Sequence, residues 1–481
     1  MAAEGDITSL GQNSLPTNTS LNVLPPHIDT CDPRHPFNLP AYRKKLILLT
    51  GLIAAFNSTL GSSLPSGATT SLSSYFGLPA SSISLVLLNS LYIIGFAVSP
   101  LIFAPLSEVI GRRPVLIGSY TCYVLFTLGS ALAPSFNALL VFRLFAGFSA
   151  AVPNTVVGGL FVDIYDGPKA SGNAVAWFIF IAVQGTLVGP LASGLISVNM
   201  DWRWTFWIGL VIAGIGLPLV WMLPETYAPV LLKNTLEGNN TLRLTELGVR
   251  GHLKNAGSIL KRPVLMMVRE PLLLFTSLYL ALVYSMLYLI FQAYPVVYGG
   301  IYSLSQDMIG LAYIPIMAGV TGGFLLFYIF GSLYARAVNE GRSWAKVEEY
   351  RRLPLACLGG PCITIALLVW SFTASPNIHP AIPMAISGAL FGMGYLLTFL
   401  AMLVYLSDIY KRYAASAQAA ASTTRSIAAI ILPFAAPGMY HKLGVKSAGI
   451  ILAVASGLMA AVPVIFLIFR RKFRATSVFS G

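Results

Sequence analysis

Two short stretches of this sequence share one pattern, and their separation indicates how the chain is organised. D-I-Y-D-G-P-K-A-S-G-N-A begins at Asp163, and D-I-Y-K-R-Y-A-A-S-A-Q-A begins at Asp408, 245 residues later. Both fit D-I-Y-x4-A-S-x2-A. Chance recurrence in Ala- and Ser-rich segments is one explanation. The other is an internal duplication, in which each copy occupies the same place in one of two similar halves.

The composition indicates a membrane protein. Hydrophobic residues make up 56% of the chain, charged residues only 10%, and the mean hydropathy is +0.75, values that soluble domains of this length do not show. A hydrocarbon core about 30 Å thick requires about 20 apolar residues per helix. Twelve runs meet this requirement: 46–66, 84–104, 114–133, 138–162, 172–197, 205–223, 272–292, 309–332, 354–374, 381–406, 416–438 and 447–468.

These runs, numbered span one to span twelve, give the doubled pattern a place. The first copy ends span four and enters span five, and the second ends span ten and enters span eleven. Equivalent positions in two groups of six helices predict a parallel repeat about an axis along the membrane normal. We therefore expect an all-α membrane protein with twelve transmembrane helices in two six-helix pseudo-repeats.

The distribution of basic residues predicts the orientation, because cytoplasmic loops retain Lys and Arg. With the N-terminus inside, the inner segments hold 25 of the 30 basic residues, and the outer loops hold only Arg203, Lys442 and Lys446. The other two, Arg143 and Arg425, lie within spans. Both termini are therefore expected in the cytoplasm. The formal charge of +13 reflects this topology and does not indicate nucleic-acid binding.

Polar segments divide the chain into five parts. Residues 1–45 are rich in Ser, Thr, Asn and Pro and predict a disordered cytoplasmic tail. An N-terminal six-helix bundle at 46–224 and a C-terminal bundle at 271–470 are separated by a cytoplasmic linker at 225–270. A short cytoplasmic tail is expected at 471–481.

Several motifs resemble those of the major facilitator superfamily, which has the same six-plus-six plan. The run A-P-L-S-E-V-I-G-R-R-P after span two is similar to its signature loop G-x-L-x-D-R-x-G-R-R, with Gly111, Arg112 and Arg113 retained and Glu108 in place of the acid. Within the superfamily, the pattern is similar to fungal drug:proton antiporters with twelve spans, the multidrug and toxin exporters. The other resemblances follow in the family's order: R-L-F-A-G from Arg143, G-T-L-V-G-P-L-A-S-G from Gly185, W-R-W-T-F-W from Trp202, P-E-T-Y-A-P-V-L-L from Pro224, F-Q-A-Y-P-V-V-Y from Phe291 and R-Y-A-A-S-A from Arg412. These motifs cover nearly all the chain beyond the tail.

The charged residues at the inner ends of the spans form a candidate conformational latch. Glu108 lies close to the cytoplasmic end of span two, within reach of Arg112 and of Asp163 across a helix pair. The resemblance implies that such a cluster holds the inner ends together while the cavity faces outward. Solvated charges at helix ends are the alternative. The counterpart expected in the second half consists of Glu225, Arg336 and Asp408.

Small residues along span five form a candidate helix-packing motif. Gly185, Gly189, Pro190 and Gly194 lie on one side of the span, where small side chains let helix backbones approach closely. The motif resembles one characteristic of antiporters, although Ser193 replaces its second-to-last glycine, and so it favours export. Glycine-rich packing in a transporter of either direction is the alternative.

The two arginines within spans each carry a cost in hydrocarbon of roughly 2.5–3.5 kcal/mol, so each should face a cavity or a partner. Arg143 matches the span-four arginine that the resemblance ties to proton coupling. It lies only a few residues from the outer end of its span, so a snorkelling anchor is the alternative. Arg425 lies deeper, and either a structural hydrogen bonder or a substrate contact fits its position.

Span seven carries a stripe of polar and aromatic side chains. Tyr284, Tyr288 and Gln292 recur every four residues and therefore lie on one face of a helix. In the superfamily, spans one, four, seven and ten line the central cavity, so the resemblance implies that this stripe meets substrate; interhelical packing is the alternative. Relatives often have Glu where this chain has the uncharged Gln292, so the resemblance does not extend to cation binding there. The other implied substrate contacts are Asn57, Asn154 and Tyr395.

No side chain deep in the predicted membrane interior titrates near neutrality. All 17 acidic residues lie in the tail, in loops or at span ends, and none of the five histidines lies in a span. A carrier of polycations should place carboxylates in its cavity, since an uncompensated ammonium there is costly. Polyamines are therefore poor substrate candidates, and neutral, aromatic or weakly anionic compounds are better ones.

The sequence thus predicts a secondary active transporter that exports small, mostly apolar or aromatic compounds, such as drugs, fungicides or fungal secondary metabolites, by proton antiport with alternating access. An uptake carrier or passive facilitator for a small organic solute is the alternative, and a non-transporting receptor a weaker one. We expect no catalytic residues, metal or cofactor, and no nucleic-acid partner. The expected partners are substrate, protons and the lipid bilayer, around a functional monomer in the plasma membrane. A vacuolar membrane, the identity of the proton carrier and the existence of coupling stay open.

Overall fold

In the computed structural model, the described residues are 35–79, 83–231, 263–410 and 414–469, and they form helices without any strand. Twelve helices are long and apolar enough to cross a membrane, and each coincides with a predicted run, which confirms the fold class. Spans one to twelve are Ala41–Gly67, Ile83–Ile110, Arg112–Ala131, Phe136–Ile164, Ala170–Ser197, Arg203–Trp221, Pro271–Gly299, Gln306–Asn339, Leu353–Thr373, Pro383–Tyr410, Ser416–Tyr440 and Lys442–Ile468.

Within each half, the described connections between spans are short, and they define two ends of the helix bundle. We call the end at which span one begins the terminal face; the start of span three and the end of span four also lie there. The other end is the opposite face, where the short helix Thr69–Phe76 follows span one. Spans eleven and twelve are continuous in the chain except at Gly444, where a φ of 74° breaks the helix.

Most of the predicted flanking segments lie outside the described residues. Residues 1–34 of the predicted tail, residues 232–262 of the predicted linker and the whole predicted tail at 471–481 lie outside them. Span one begins at Ala41, a few residues before the predicted start of the first bundle.

Equivalent helices pack in equivalent ways in the two halves. Span two packs on span four, and span eight packs on span ten. A side chain at Gly147 would overlap the backbone at Tyr92, and one at Gly392 would overlap the backbone at Ile316. Gly147 and Gly392 are again 245 residues apart. Close backbone approach at the same step of each half is the structural counterpart of the repeated sequence pattern.

The outer surface of the bundle is apolar. Large side chains such as Ile215, Val211 and Leu458 are 60% or more exposed. An apolar surface of this extent around a helical bundle is stable when hydrocarbon covers it. The helices are therefore those of an integral membrane protein.

Most of the contact between the two halves comes from two pairs of spans. Span two packs against the helical segment of spans eleven and twelve, and span five packs against span eight. The rings of Phe180 and Phe324 stack with centroids 4.2 Å apart, and the Gln184 amide donates to the Thr321 hydroxyl at 3.0 Å. At the opposite face, the Gln306 amide donates to the Gly67 carbonyl at 2.7 Å. The halves are thus hydrogen-bonded to one another in this conformation.

Candidate functional site

Arg112 and Asp163 form an ion pair at the terminal face. The Arg112 Nε and Nη2 atoms donate to the two carboxylate oxygens of Asp163, the latter over 3.3 Å. The guanidinium also lies 5.2 Å from the centre of the Tyr227 ring. A side chain at Gly159, one turn before Asp163, would collide with the guanidinium. Span four therefore provides both the acid and the space for its partner.

Glu225 belongs to this same cluster and not to the second half. Its carboxylate accepts hydrogen bonds from the backbone nitrogens of Arg112 and Arg113, both at 3.1 Å. These nitrogens begin span three and have no partner within the helix, so a carboxylate there acts as a cap. Gly111 has a φ of 104°, and a side chain at that position would collide with the Glu225 carboxylate.

Glu108 and Tyr227 also lie at the terminal face, near the Arg112–Asp163 ion pair. Glu108 is exposed at the end of span two. Burial raises the pKa of the Tyr227 hydroxyl, and the nearby Glu108 carboxylate raises it further. The expected grouping of Glu108, Arg112 and Asp163 is thus brought to one place, with Arg112 and Asp163 in direct contact.

In the second half, the partner of Asp408 is Arg352. The Arg352 Nε atom donates to the Asp408 carboxylate at 3.4 Å. Burial lowers the pKa of the Arg352 guanidinium, and the Asp408 carboxylate opposes this shift. The expected counterpart of Glu225, Arg336 and Asp408 is therefore wrong, because Arg336 is exposed in the last turn of span eight. Arg352 directly precedes span nine, as Arg112 directly follows the turn into span three.

Arg143 is 2% exposed and bound to backbone carbonyls. Its Nε, Nη1 and Nη2 atoms donate to the carbonyls of Leu88, Gly61 and Ser62 at 3.0, 2.7 and 3.3 Å. The Gly61 carbonyl needs such a donor because Pro65, four residues later, has no N–H group. Arg143 therefore joins spans two and four to the end of span one, and it does not snorkel to the surface.

The stripe on span seven lies where the halves meet. The Tyr288 hydroxyl contacts the Ser62 hydroxyl of span one at 2.9 Å and the Tyr284 hydroxyl at 3.3 Å. Tyr288 is only 2% exposed, whereas Tyr284 and Gln292 are half-buried. In this conformation Tyr288 takes part in closing the contact between spans one and seven.

Span ten extends the stripe into an aromatic wall. The Tyr395 and Phe399 rings are stacked at 5.5 Å with an interplanar angle of 8°, and Phe399 stacks on Tyr284 at 6.0 Å. Arg425 of span eleven lies over this wall, 5.3 Å from the Tyr284 ring and 5.2 Å from the Phe399 ring. Tyr284, Tyr395 and Arg425, far apart in sequence, thus meet on the inner side of the second half.

The two asparagines differ in position. The Asn57 amide is fully buried and donates to the Tyr120 hydroxyl at 2.8 Å, so it lies inside the first half and the expectation that it meets substrate is not supported. Asn154 is half-buried and donates to the Ser58 hydroxyl at 2.6 Å. Asn57 and Ser58 are neighbours, but a helix turns about 100° per residue and separates their directions.

The span-five motif packs against span one and span eight. Side chains at Gly185 and Gly189 would collide with Thr59 and Ser63 of span one, and one at Gly194 would lie 3.0 Å from Gly310 of span eight. Pro190 lies within the helix between them. The motif therefore allows close approach on both sides of span five.

Sequence reasoning did not single out Ser62, Arg352, Phe399 or Glu270, all of which the structure brings into these sites. Glu270 is 1% exposed at the start of span seven and accepts a hydrogen bond from the Tyr410 hydroxyl at 3.2 Å. Arg352 could have been found from the repeat, because it precedes the third span of the second half as Arg112 begins the third span of the first. Nothing in the sequence marks Ser62 as a site residue. In the part of the chain that the structure describes, no group of three or more His, Cys, Asp or Glu side chains could hold a metal ion.

Comparison with known proteins agrees with this arrangement. The sequence model of the Major Facilitator Superfamily matches residues 50–433. The chain is 33% identical over 463 residues to an MFS-type efflux pump of Trichophyton rubrum, which covers 94% of this chain and 76% of the relative. It is also 33% identical over 461 residues to a citrinin biosynthesis cluster MFS transporter of Monascus ruber, covering 93% and 91% of the two chains.

Solved structures show the same fold at low sequence identity. The proton:xylose symporter XylE superposes with a TM-score of 0.64 at 16% identity, over 91% of this chain and 97% of that chain. A human organic anion transporter gives a TM-score of 0.58 at 16% identity, over 88% and 100%. Together with the family match over most of the sequence, these similarities show that this chain belongs to the major facilitator superfamily and is a membrane transporter, not an enzyme.

Proposed function

We propose that this transporter exports small, mostly apolar or aromatic compounds by proton antiport, through alternating access of one site between its two halves. The observation that carries the proposal is the aromatic wall of Tyr284, Tyr395 and Phe399 beside the junction of the halves. Aromatic surfaces bind ring-containing ligands by stacking and shape. Relatives whose names describe efflux pumps support the direction of transport.

Alternating access requires the halves to move as units. The two terminal-face ion pairs, Arg112 with Asp163 and Arg352 with Asp408, each lie inside one half. A rocking motion can therefore leave them intact. It must instead break the hydrogen bonds between the halves, including the one between Ser62 and Tyr288. The pairs then act by fixing helix ends within each half, which lets each half transmit the motion as a rigid body.

The proposed proton carriers are Asp163 and Glu108. An arginine stays charged and a tyrosine titrates far above neutrality, so neither residue type suits the exchange. Each carboxylate lies at the terminal face, and Asp163 shares span four with Arg143. Protonation of Asp163 would remove the charge that holds Arg112, and in this way it would couple proton loading to the packing of spans three and four.

The proposed setting is the plasma membrane, with both termini in the cytoplasm and a monomer as the functional unit. The basic residues of the terminal face support this orientation, because cytoplasmic segments retain Lys and Arg. The division into bundles at 46–224 and 271–470, joined by a cytoplasmic linker, belongs to the same proposal.

The test is transport by the purified protein in proteoliposomes. Substrates come from a panel of aromatic compounds, chosen by changed sensitivity of a host in which the gene is deleted or overexpressed. Export coupled to protons requires substrate-dependent proton flux, and this flux should fall in Asp163→Asn and Glu108→Gln. Flux that persists in both variants would remove these carriers. Accumulation that a protonophore leaves unchanged would make the protein a facilitator.

The Tyr288→Ala variant tests the site. Because a cavity aromatic selects by stacking and shape, this change should alter the ranking of transported compounds more than protein abundance. Tyr123→Ala is a matched control, since Tyr123 is a buried tyrosine inside the first half that donates to the Asn57 carbonyl. Equal loss for every compound in Tyr288→Ala would indicate a packing role alone.

A further inference from the structure

Arg425 lies deep in the membrane-spanning part of the chain. Nine residue steps separate it from the start of span eleven at Ser416, and fifteen separate it from the end at Tyr440. At 1.5 Å per residue, these distances are about 13 and 22 Å along the helix. A single arginine side chain is too short to reach either surface from that depth. Arg425 is therefore held among the helices.

The Arg425 side chain contacts two aromatic rings and is partly exposed. Its guanidinium carbon lies 5.3 Å from the centre of the Tyr284 ring and 5.2 Å from that of Phe399. These rings are nearly parallel, with an interplanar angle of 24°. The side chain itself is only half-buried. Two ring faces thus lie against the cation while part of its side chain remains accessible.

The donors of Arg425 are unused among the described residues. A guanidinium has five N–H donors, and no hydrogen bond or ion pair from Arg425 is found within residues 35–79, 83–231, 263–410 and 414–469. Arg143 provides the comparison within the same protein, because its three nitrogens all donate to backbone carbonyls. The buried Arg143 of the first half is satisfied by backbone carbonyls, whereas the half-buried Arg425 of the second half has no such partner among the described residues.

Among the described residues, Arg425 is an isolated cation. Every carboxylate that the structure describes lies outside the spans or within two residues of a span end. No acid of these residues is therefore placed to neutralise a cation in the middle of span eleven. An anion that enters between the halves would find both an attractive charge and a stacking surface there.

We propose that Arg425, with the Tyr284 and Phe399 rings, forms a subsite for the carboxylate or other monoanionic group of an aromatic substrate. The guanidinium donates two parallel hydrogen bonds to the anion, and the Tyr395–Phe399 stack binds the attached ring. The inference rests on the proposed function, since it names the class of compound that the export site takes: aromatic weak acids in their anionic form.

The test compares two probes of similar shape, 1-naphthoate with its carboxylate and 1-naphthamide with a neutral carboxamide in the same place, binding to the full chain in lipid nanodiscs by isothermal titration calorimetry. A charge-assisted hydrogen-bonded contact corresponds to a preference of about tenfold or more for the naphthoate. Arg425→Gln should reduce this preference to about onefold while naphthamide binding stays the same. Lys446→Gln is the matched control, because Lys446 is an exposed cation 5.1 Å from the Phe372 ring at the opposite face; it should keep the full preference.

Two results would overturn the subsite. One is equal affinity of the unaltered protein for both probes, and the other is an unchanged naphthoate preference in Arg425→Gln. Arg425→Met provides a second variant whose apolar side chain suits the membrane interior, in case the glutamine variant does not fold. Export of neutral panel compounds is measured separately. A protein that prefers naphthoate but exports nothing would refute the proposed function and leave the anion subsite standing.

Discussion

The ion pair of Arg112 and Asp163 should stabilise the folded protein far more than its counterpart in the second half. The first pair makes two hydrogen bonds, and its side chains are 12% and 19% exposed. The second pair makes one contact of 3.4 Å, and Asp408 is 41% exposed. The two pairs occupy similar positions in the sequence, but we expect different interaction energies because solvent screens the second pair more strongly.

The magnitudes follow from burial. Exposed ion pairs contribute about 0.2–1 kcal/mol, and removing one partner of a buried pair costs about 3–5 kcal/mol. Arg112 and Asp163 are mostly buried but lie at the membrane surface, so we expect a coupling energy of about 2 kcal/mol between them. For Arg352 and Asp408 we expect about 0.5 kcal/mol or less, since water reaches the carboxylate.

Two double-mutant cycles measure these energies. The first uses Asp163→Asn, Arg112→Gln and the double variant, and the second uses Asp408→Asn, Arg352→Gln and their double variant. Unfolding is followed by tryptophan fluorescence as the fraction of SDS in mixed detergent micelles is raised. The quantity compared is the free energy of unfolding of each variant relative to the unaltered protein.

Equal coupling energies in the two cycles would refute the reasoning from burial. A coupling energy under about 0.5 kcal/mol for Arg112 and Asp163 would show that the pair does not stabilise the first half. If this small value were accompanied by a change in transport, the pair would act in the conformational cycle, as the latch interpretation holds. If stability coupling is about 2 kcal/mol, the pair fixes spans three and four to one another.

Three further substitutions follow from single contacts. Gly159→Ala should lower the free energy of unfolding by about 1 kcal/mol, because its methyl group would crowd the Arg112 guanidinium. Gly158→Ala is the control and should leave this free energy unchanged, since a methyl group there meets nothing within 4 Å. Equal unfolding curves for the two variants would contradict the prediction. Gln306→Ala removes the donor to the Gly67 carbonyl, so the equilibrium for opening at the opposite face should become about fivefold more favourable. Labelling of a cysteine placed at Gln292 measures this opening. Unchanged labelling from that side would show that the hydrogen bond does not hold the halves together. Arg143→Gln leaves buried carbonyls without donors and should lower the free energy of unfolding by about 2 kcal/mol. Lost proton coupling with unaltered stability would instead give Arg143 a part in transport.

The sequence determined the membrane class, the number of spans and the duplicated plan. Each of these depends on order along the chain: a helix must carry a long apolar run to cross hydrocarbon, and its ends must hold the charges. The same argument placed Asp163 and Asp408 at equivalent helix ends before any contact was known. The family motifs added the signature loop, in which Arg112 contacts Asp163.

Contacts between helices were decided by the tertiary structure alone. Sequence spacing gave Asp408 the wrong partner, Arg336, because the choice between it and Arg352 depends on how spans eight, nine and ten are arranged around one another. Asn57 is polar and lies in span one, as expected, yet the rotation of that helix directs it to Tyr120. The different environments of Arg143 and Arg425 have the same origin. An apolar run in the sequence fixes how deep a residue lies in the membrane, whereas the rotation of the helix and its neighbouring spans determine which groups the side chain contacts. Helix rotation and the choice of neighbours come from packing between segments far apart in the sequence.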